Sequence, residues 1–426
     1  MRTQTTDVST SPAARRSTAW SRPATWHLAF ATLLLLAANC SVAVSQLALG
    51  LTLLTMLWRR VRGDAAWWPT GLEWTAGLLA AWALAMVPLS TAPHQSLVFY
   101  RRFYLFSALW VLAPLARDEA GRRWLAGSLL AGAAGISIVG VAQVVQATGG
   151  LMRSRLAQVN NPMTSGALLM LALLAAIGFL LARGHSRRAR WWLPGAVAPI
   201  ALALVHTMTR SALLGAAAGV AVMVLAARPR LFLWFAGAGV LSFVLLLAVG
   251  ERVLPDAMWR QLNPAFAVHG VDTSERFDLW RGGLKMVAER PITGFGDRDL
   301  LALMPKYVDN PMAWQYGHLH NNIVHLAVIW GVPGCVLALA FLLAPAVVVR
   351  RLWRRRDSCG PAMPWRDGWL LAALGVWAGY GVAGLTEWYF GDAEPSLLYL
   401  AVLGIALGGA AAKPLTWRFR ARSVDE

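Results

Sequence analysis

Tyr316-Gly-His-Leu-His-Asn-Asn-Ile-Val-His325, followed by Trp330-Gly-Val-Pro-Gly334, is the stretch whose reading decides the fold. It joins a polar segment, roughly residues 250–320, to an apolar run that continues to Val349. His318, His320, His325, Asn321 and Asn322 are therefore gathered at a boundary between water and hydrocarbon. Polar side chains there need a reason, because an ionisable residue at or inside a membrane helix is by default a functional site. The rest of the chain reads as a scaffold that brings arginines to this place.

Outward from this stretch the composition is that of a polytopic membrane protein: 57% of residues are hydrophobic and 14% charged. The apolar residues fall in repeated runs close to the ~20 needed to cross a bilayer. Many of the 22 tryptophans stand at run ends, among them Trp58, Trp67, Trp68, Trp191, Trp192 and Trp365, where an amphipathic ring suits the headgroup layer. A net charge of +18 raises the question of nucleic acid, but the excess lies in short loops between apolar runs, so membrane topology accounts for it and no nucleic-acid partner is expected. Cys40, Cys335 and Cys359 form no CxxC pair, which argues against a disulfide framework and a thiolate metal site.

Twelve spanning helices are expected, at 26–39, 41–58, 72–90, 96–116, 124–146, 162–182, 191–208, 211–227, 231–249, 322–349, 368–386 and 394–412. The run 26–58 is read as a hairpin turning at Asn39-Cys-Ser41, because both its ends are basic. The domains that follow are a polar tail at 1–25, membrane helices in 26–249, an outer loop at 250–320, further membrane helices in 321–412 and a tail at 413–426. With the N-terminus inside, each cytoplasmic loop is basic: Arg59–Arg62, Arg117–Arg123, Arg183–Arg190, Arg228–Arg230 and Arg350–Arg366. The positive-inside rule then makes both tails cytoplasmic and, in a bacterial inner membrane, puts the 250–320 loop in the periplasm.

Some arginines stand on the other side. Arg101 and Arg102 fall near the outer end of the fourth expected helix, Arg153 and Arg155 in the outer loop before the sixth, and Arg210 in the tight turn Thr207-Met-Thr-Arg-Ser211. A cation there gains nothing from the insertion rule and is available to hold an anion. Snorkelling or a local ion pair is the competing reading for Arg101, Arg102 and Arg153. The turn around Arg210 is too short to let its side chain drift into bulk water.

The outer loop contains an expected helix, Ser274–Arg290, opening on a Ser or Thr cap and ending at Pro291, with Phe277, Trp280, Leu284 and Val287 at helical spacing. Such a helix lies along the membrane surface with Arg276, Arg281 and Lys285 on other faces. A second short helix is expected within Asp299–Tyr307.

Arginine remains charged and binds phosphate oxygens with a forked donor pair, while a histidine of near-neutral pKa accepts a proton from a hydroxyl. Arg210, the loop arginines and His320 are thus equipped to transfer a group from a phosphate leaving group to an alcohol. A metal bound by His318-x-His320 is disfavoured: on a helix, residues two apart diverge, and no acid lies within four positions. No cofactor is expected. His325, inside the apolar run, is assigned to packing.

Four motifs carry a family resemblance. His320-Asn321, nine residues from Asn322 to Trp330, and then Gly331-x-x-Gly334 are joined by Thr209-Arg210-Ser211, Ser274-x-Arg276-x-x-x-Trp280 and Pro291-x-x-Gly294-x-Gly296. Together they resemble the signature of the O-antigen ligase and polymerase superfamily. The resemblance implies a C-type, membrane-embedded, inverting and metal-independent glycosyltransferase of lipopolysaccharide biosynthesis. It implies an undecaprenyl-pyrophosphate-linked glycan as donor, and for the ligase branch the lipid A core as acceptor. It also implies His320 as general base and Arg210 and Arg276 as the grip on pyrophosphate. Arg155, Arg281, His318, Asn321, Arg101 and Arg102 are further candidates for substrate contact, and Glu387 or Asp392 for orienting the acceptor or His320.

Within the superfamily, polymerases tend to carry two periplasmic Arg-x(10)-Gly spacings. Here one is found, Arg155 to Gly166, and a single large outer loop before the His helix favours the ligase. From another class, a lipid or sugar transporter predicts charges near the bilayer midplane and paired repeats. This chain concentrates its polar residues at one face instead, and even the helix-breaking Asn160-Asn161-Pro162 falls at the outer boundary.

Overall fold

The computed structural model describes residues 22–149, 155–156, 161–254, 256, 259–260, 263, 271–355 and 363–410, without the side chains of 22–23 and 271–274. Arg153, Asn160, Cys359 and the side chain of the expected cap Ser274 lie outside the described residues.

Among the described residues the fold is all helical. The helices are α1 (Arg22–Ala37), α2 (Val42–Val61), α3 (Glu73–Met86), α4 (Pro93–Tyr100), α5 (Ala108–Val111), α6 (Glu119–Thr148), α7 (Pro162–Leu181), α8 (Arg187–His206), α9 (Arg210–Ala227), α10 (Pro229–Val253), α11 (Val271–Glu289), α12 (Met304–Tyr307), α13 (Asn322–Arg355), α14 (Pro364–Ala383) and α15 (Ala393–Ala410). Seven of them, α2, α6, α7, α9, α10, α13 and α15, are long and apolar enough to cross a membrane, which makes this a membrane protein. Helix occupies each of the twelve expected intervals.

Local chemistry sets many helix starts. Ser41, Asp118, Asn161 and Ser186 each accept a backbone N–H of the first turn of α2, α6, α7 and α8, and Pro162 takes the first position of α7. The interval 96–116 departs from the expectation of one continuous helix. Between α4 and α5 the chain tightens into a 3-10 turn, Arg101–Ser107, and a second follows at Ala113–Ala116. Tyr100, Phe103 and Phe106 stack at ring separations of 5.0 Å, and a 3-10 turn is what aligns side chains three apart.

At the centre α14 packs against α7 and α9 through small residues. A Cβ on Gly215 would meet Gly379 O, one on Gly219 would meet Gly375 O, and one on Gly178 would meet Ala372. Such contacts let backbones approach closely where apolar burial gives no preference over lipid. α15 is almost wholly buried, whereas α10 presents Leu233, Trp234 and Val240 outward, the mark of a helix bathed in hydrocarbon.

The 271–319 segment forms a second, smaller core of Leu279, Met286, Phe295, Leu300, Met304, Tyr307 and Leu319 laid against Val328 of α13. α11 begins and ends near the expected positions, and Trp280 and Val287 of its apolar stripe pack at the edge of this core. Leu279, Gly282, Gly283 and Met286 face inward while Phe277 and Leu284 are exposed. The reason is steric: Gly282 and Gly283 bring the helix against Tyr307, Val308, Leu319 and Val324 more closely than larger residues allow. The second short helix appears as a 3-10 turn, Leu301–Leu303, running into α12.

The two glycine motifs interlock. α13 is broken at Gly331, which has φ 69° and ψ 177°. The backbone groups around the break pair with the loop: Phe295 N–H donates to Val328 O (2.8 Å), Gly296 N–H to Ile329 O (2.9 Å) and Val332 N–H to Pro291 O (2.7 Å). Gly294, at φ 64°, sits so close to Gly331 N that a Cβ would collide. The 291–296 segment is therefore clamped to α13 about three helical turns from the His-Asn-Asn stretch.

Candidate active site

Asn321 starts α13. Its Oδ1 accepts from Ile323 and Val324 N–H (2.9 and 3.0 Å), while its Nδ2 reaches across to Leu385 O (2.8 Å). Asn322 repeats the clamp: its N–H donates to Gly384 O (2.7 Å) and its Oδ1 accepts from Phe390 N–H (3.1 Å). Two adjacent asparagines thus fasten the loop between α14 and α15 onto the start of α13. That loop carries Glu387.

His320, 5% exposed, has φ +45°. A non-glycine residue in this region costs on the order of 1–3 kcal/mol and is held there only by its surroundings. The conformation turns the ring to Glu387, with Nδ1 2.9 Å from Oε2. Glu387 Oε1 accepts from Arg276 Nη2 (2.7 Å), and Arg276 Nη1 donates to Thr386 O (2.7 Å). Burial pushes the Glu387 carboxyl up, but the hydrogen bond from His320 and the charge of Arg276 outweigh it, and its pKa lies below the ordinary carboxylate value. The carboxylate accepts from Nδ1–H, so Nε2 is the ring nitrogen left to take a proton.

His318 and Tyr316 complete the wall, with ring centroids 4.2 and 4.9 Å from His320. Burial, followed by the neighbouring His320, lowers the His318 pKa to about 4, so it stays neutral at pH 7. The stretch 316–321 is not helical, so His318 and His320 do not diverge as they would on a helix, and an acid joins His320 from 67 positions away. Among the described residues no group of three or more His, Cys, Asp or Glu is arranged to hold a metal ion. His325 is buried, stacks on Trp388 at 3.9 Å and accepts from Leu319 N–H (3.4 Å) through Nδ1.

A second cluster adjoins the first. In the turn before α9, Met208 has φ +50°, and Arg155 Nε donates to Thr207 O (3.0 Å). Arg210 Nη2 reaches Arg260 O (3.4 Å). Ser211 Oγ lies 3.1 Å from the Tyr389 hydroxyl, which ties this turn to the Glu387 loop. Asp392, at the end of that loop, is 3.4 Å from Thr164 Oγ1, and burial followed by the charges of Glu394 and Glu387 raises its pKa to about 7.

The remaining arginines differ in place: Arg102 lines a cavity with Trp388 and Phe390 of the Glu387 loop, and Arg281 does not. Arg102 lies 3.8 Å from Asp297, whose pKa burial raises to about 6 against the pull of Arg102. Arg101 is exposed beside it. Arg281, with 78% of its side chain exposed, faces solvent beside Asp278. Thus His320, His318, Asn321 and Arg276 meet at one point, Arg155 and Arg210 adjoin through the α8–α9 turn, and Arg281 stands outside. From the sequence Glu387 is only one of two acids in the last loop, and nothing local distinguishes it from Asp392.

Chemically the arrangement offers a histidine nitrogen able to take a proton, an ionised acid on the other ring nitrogen, Arg276 on the same acid, and Arg155 and Arg210 at the adjoining turn. No curated protein matches the chain significantly. Residues 195–339, which hold Arg210, Arg276, His318, His320 and Asn321, match the family model described as O-antigen ligase.

Proposed function

We propose that this protein is an O-antigen ligase that moves a glycan from undecaprenyl pyrophosphate to a hydroxyl of the lipid A core at the periplasmic face of the inner membrane. The observation that carries the reading is the His320–Glu387–Arg276 chain, with contacts of 2.9 and 2.7 Å. The acceptor oxygen bonds to the anomeric carbon as the bond from that carbon to the pyrophosphate oxygen breaks, its electron pair leaving with the pyrophosphate. The acceptor proton passes to His320 Nε2, and Glu387 stabilises the resulting imidazolium. Arg210 and Arg155 neutralise the departing charge, the role a metal ion plays elsewhere. Two of the five guanidinium N–H donors of Arg276 hold the loop, which leaves three for the same anion.

The test is to replace the gene in cells with one encoding His320→Ala, then run lipopolysaccharide on a gel and analyse lipid-linked glycans alongside. Bare core with accumulated long lipid-linked chains is the expected result. Core bearing a single repeat unit reassigns the site to chain polymerisation, and normal lipopolysaccharide from a well-expressed variant removes His320 as the base.

A further inference from the structure

A cavity of ≈ 940 Å³ opens at the other end of the bundle, between α1, α6, α8 and the start of α14. Its separation from the Arg155 turn follows from helix lengths. α8 lines the cavity with Arg188, Ala189 and Trp192 and reaches that turn at His206, so the two stand about 20–27 Å apart at 1.5 Å per residue.

Arg123 and Arg188 line the mouth; both are exposed, and neither has an ion-pair or hydrogen-bond partner among the described residues. The one acid in the lining, Glu119, is already committed: it accepts from Arg122 Nη1 (3.0 Å) and from Trp365 and Arg366 N–H (3.0 and 3.1 Å). Two uncompensated cations remain. Beside them stand Trp124, held by its Nε1–H on Thr32 Oγ1 (2.8 Å), and Trp192, stacked on Trp365. Below them the floor is small and apolar: Gly127 and Ala131 of α6 continue the groove for about 12 Å beyond Arg123. A Cβ on Gly127 would meet nothing within 4 Å, so the groove is open there.

We infer that this groove binds an anionic phospholipid, its phosphodiester between Arg123 and Arg188 and an acyl chain along Gly127 and Ala131. Charge complementarity selects an anion, the flanking tryptophans set the depth at the headgroup layer, and the apolar floor requires a ligand with a hydrocarbon tail. A basic pocket between membrane helices is a general form of headgroup recognition. The site is independent of the transfer chemistry.

The test uses the full chain, delipidated in neutral detergent and supplied with phosphatidylglycerol, phosphatidylcholine of the same acyl chains, or inorganic phosphate, with native mass spectrometry and thermal unfolding as readouts. Wild type should hold phosphatidylglycerol about tenfold or more over phosphatidylcholine, the scale of one charge-assisted contact, and should unfold at higher temperature when it is bound. Arg123→Gln/Arg188→Gln should erase the preference and the thermal shift. Gly127→Leu, which fills the groove without a clash, should lose phosphatidylglycerol binding while unfolding normally without lipid. An unchanged preference in the double variant, or undiminished binding in Gly127→Leu, overturns the proposal. Phosphatidylcholine binding as well as phosphatidylglycerol overturns the charge recognition, and an equal thermal shift from phosphate alone overturns the lipid in favour of a free-anion site.

Discussion

The Asn322 amide occupies the space that a side chain on Gly384 would need, while the Asn322 N–H donates to Gly384 O at 2.7 Å. The loop that carries Glu387 therefore docks only because residue 384 has no Cβ. Gly384→Ala must displace an amide that is also fixed by Phe390 N–H at 3.1 Å. Overpacking of this kind costs about 1–3 kcal/mol. Thermal unfolding should fall accordingly and transfer should drop more than tenfold, since the displaced loop carries the acid on His320. Wild-type transfer by this variant would show that loop docking is unrelated to activity.

Glu387→Gln keeps the shape of the side chain and removes its charge. Without a carboxylate, the His320 tautomer is no longer enforced and the imidazolium is unsupported, so turnover should fall by about 10²–10⁴-fold with donor affinity much less changed. The folded pKa of Glu387 lies below its unfolded value, so its contribution to stability is present above the unfolded pKa and disappears as pH falls through the folded one. Acid titration of wild type should therefore show a loss of stability below about pH 4 that the variant lacks.

Asp392 has the opposite sign. Its folded pKa of about 7 lies above the ordinary 3.8, so the folded state binds the extra proton and stability declines as pH rises between these values. In Asp392→Asn that decline should vanish. Melting temperatures of both proteins from pH 4 to 8 are the measurement, and parallel curves would show that Asp392 is already ionised in the folded protein.

Arginines inside and outside the site should separate in one experiment. Arg210→Lys keeps the charge but loses the fork, and most transfer should go with it if pyrophosphate is gripped bidentately. Arg281→Ala removes a side chain that is 78% exposed beside Asp278, and should change both stability and transfer little. Unaltered donor binding in Arg210→Lys, measured with a lipid pyrophosphate, would sink the role given to that residue.

Helix positions were legible because their causes are local. An apolar run of membrane length, a Ser, Asp or Asn cap, and a proline after Arg290 each act within a few residues. Asn321 belongs to this class, since its Oδ1 caps α13 at Ile323 and Val324. Which face of α11 packs closest on the protein is not legible in its sequence, because Phe277, Trp280, Leu284 and Val287 carry the larger hydrophobic signal. The contact was instead decided by Gly282 and Gly283, which matter through what comes close to them.

Sequence by itself determined the membrane class, the helical intervals and the histidine to examine, because hydropathy, capping and charge are properties of neighbouring residues. Only the tertiary structure decided that Glu387 and not Asp392 meets His320, that Arg276 holds Glu387, and that Arg281 faces solvent. The first two relations span 67 and 111 positions and depend on how α11 and the loop after α14 dock at the start of α13, and rotating α11 by a single residue would send Arg276 and Arg281 elsewhere.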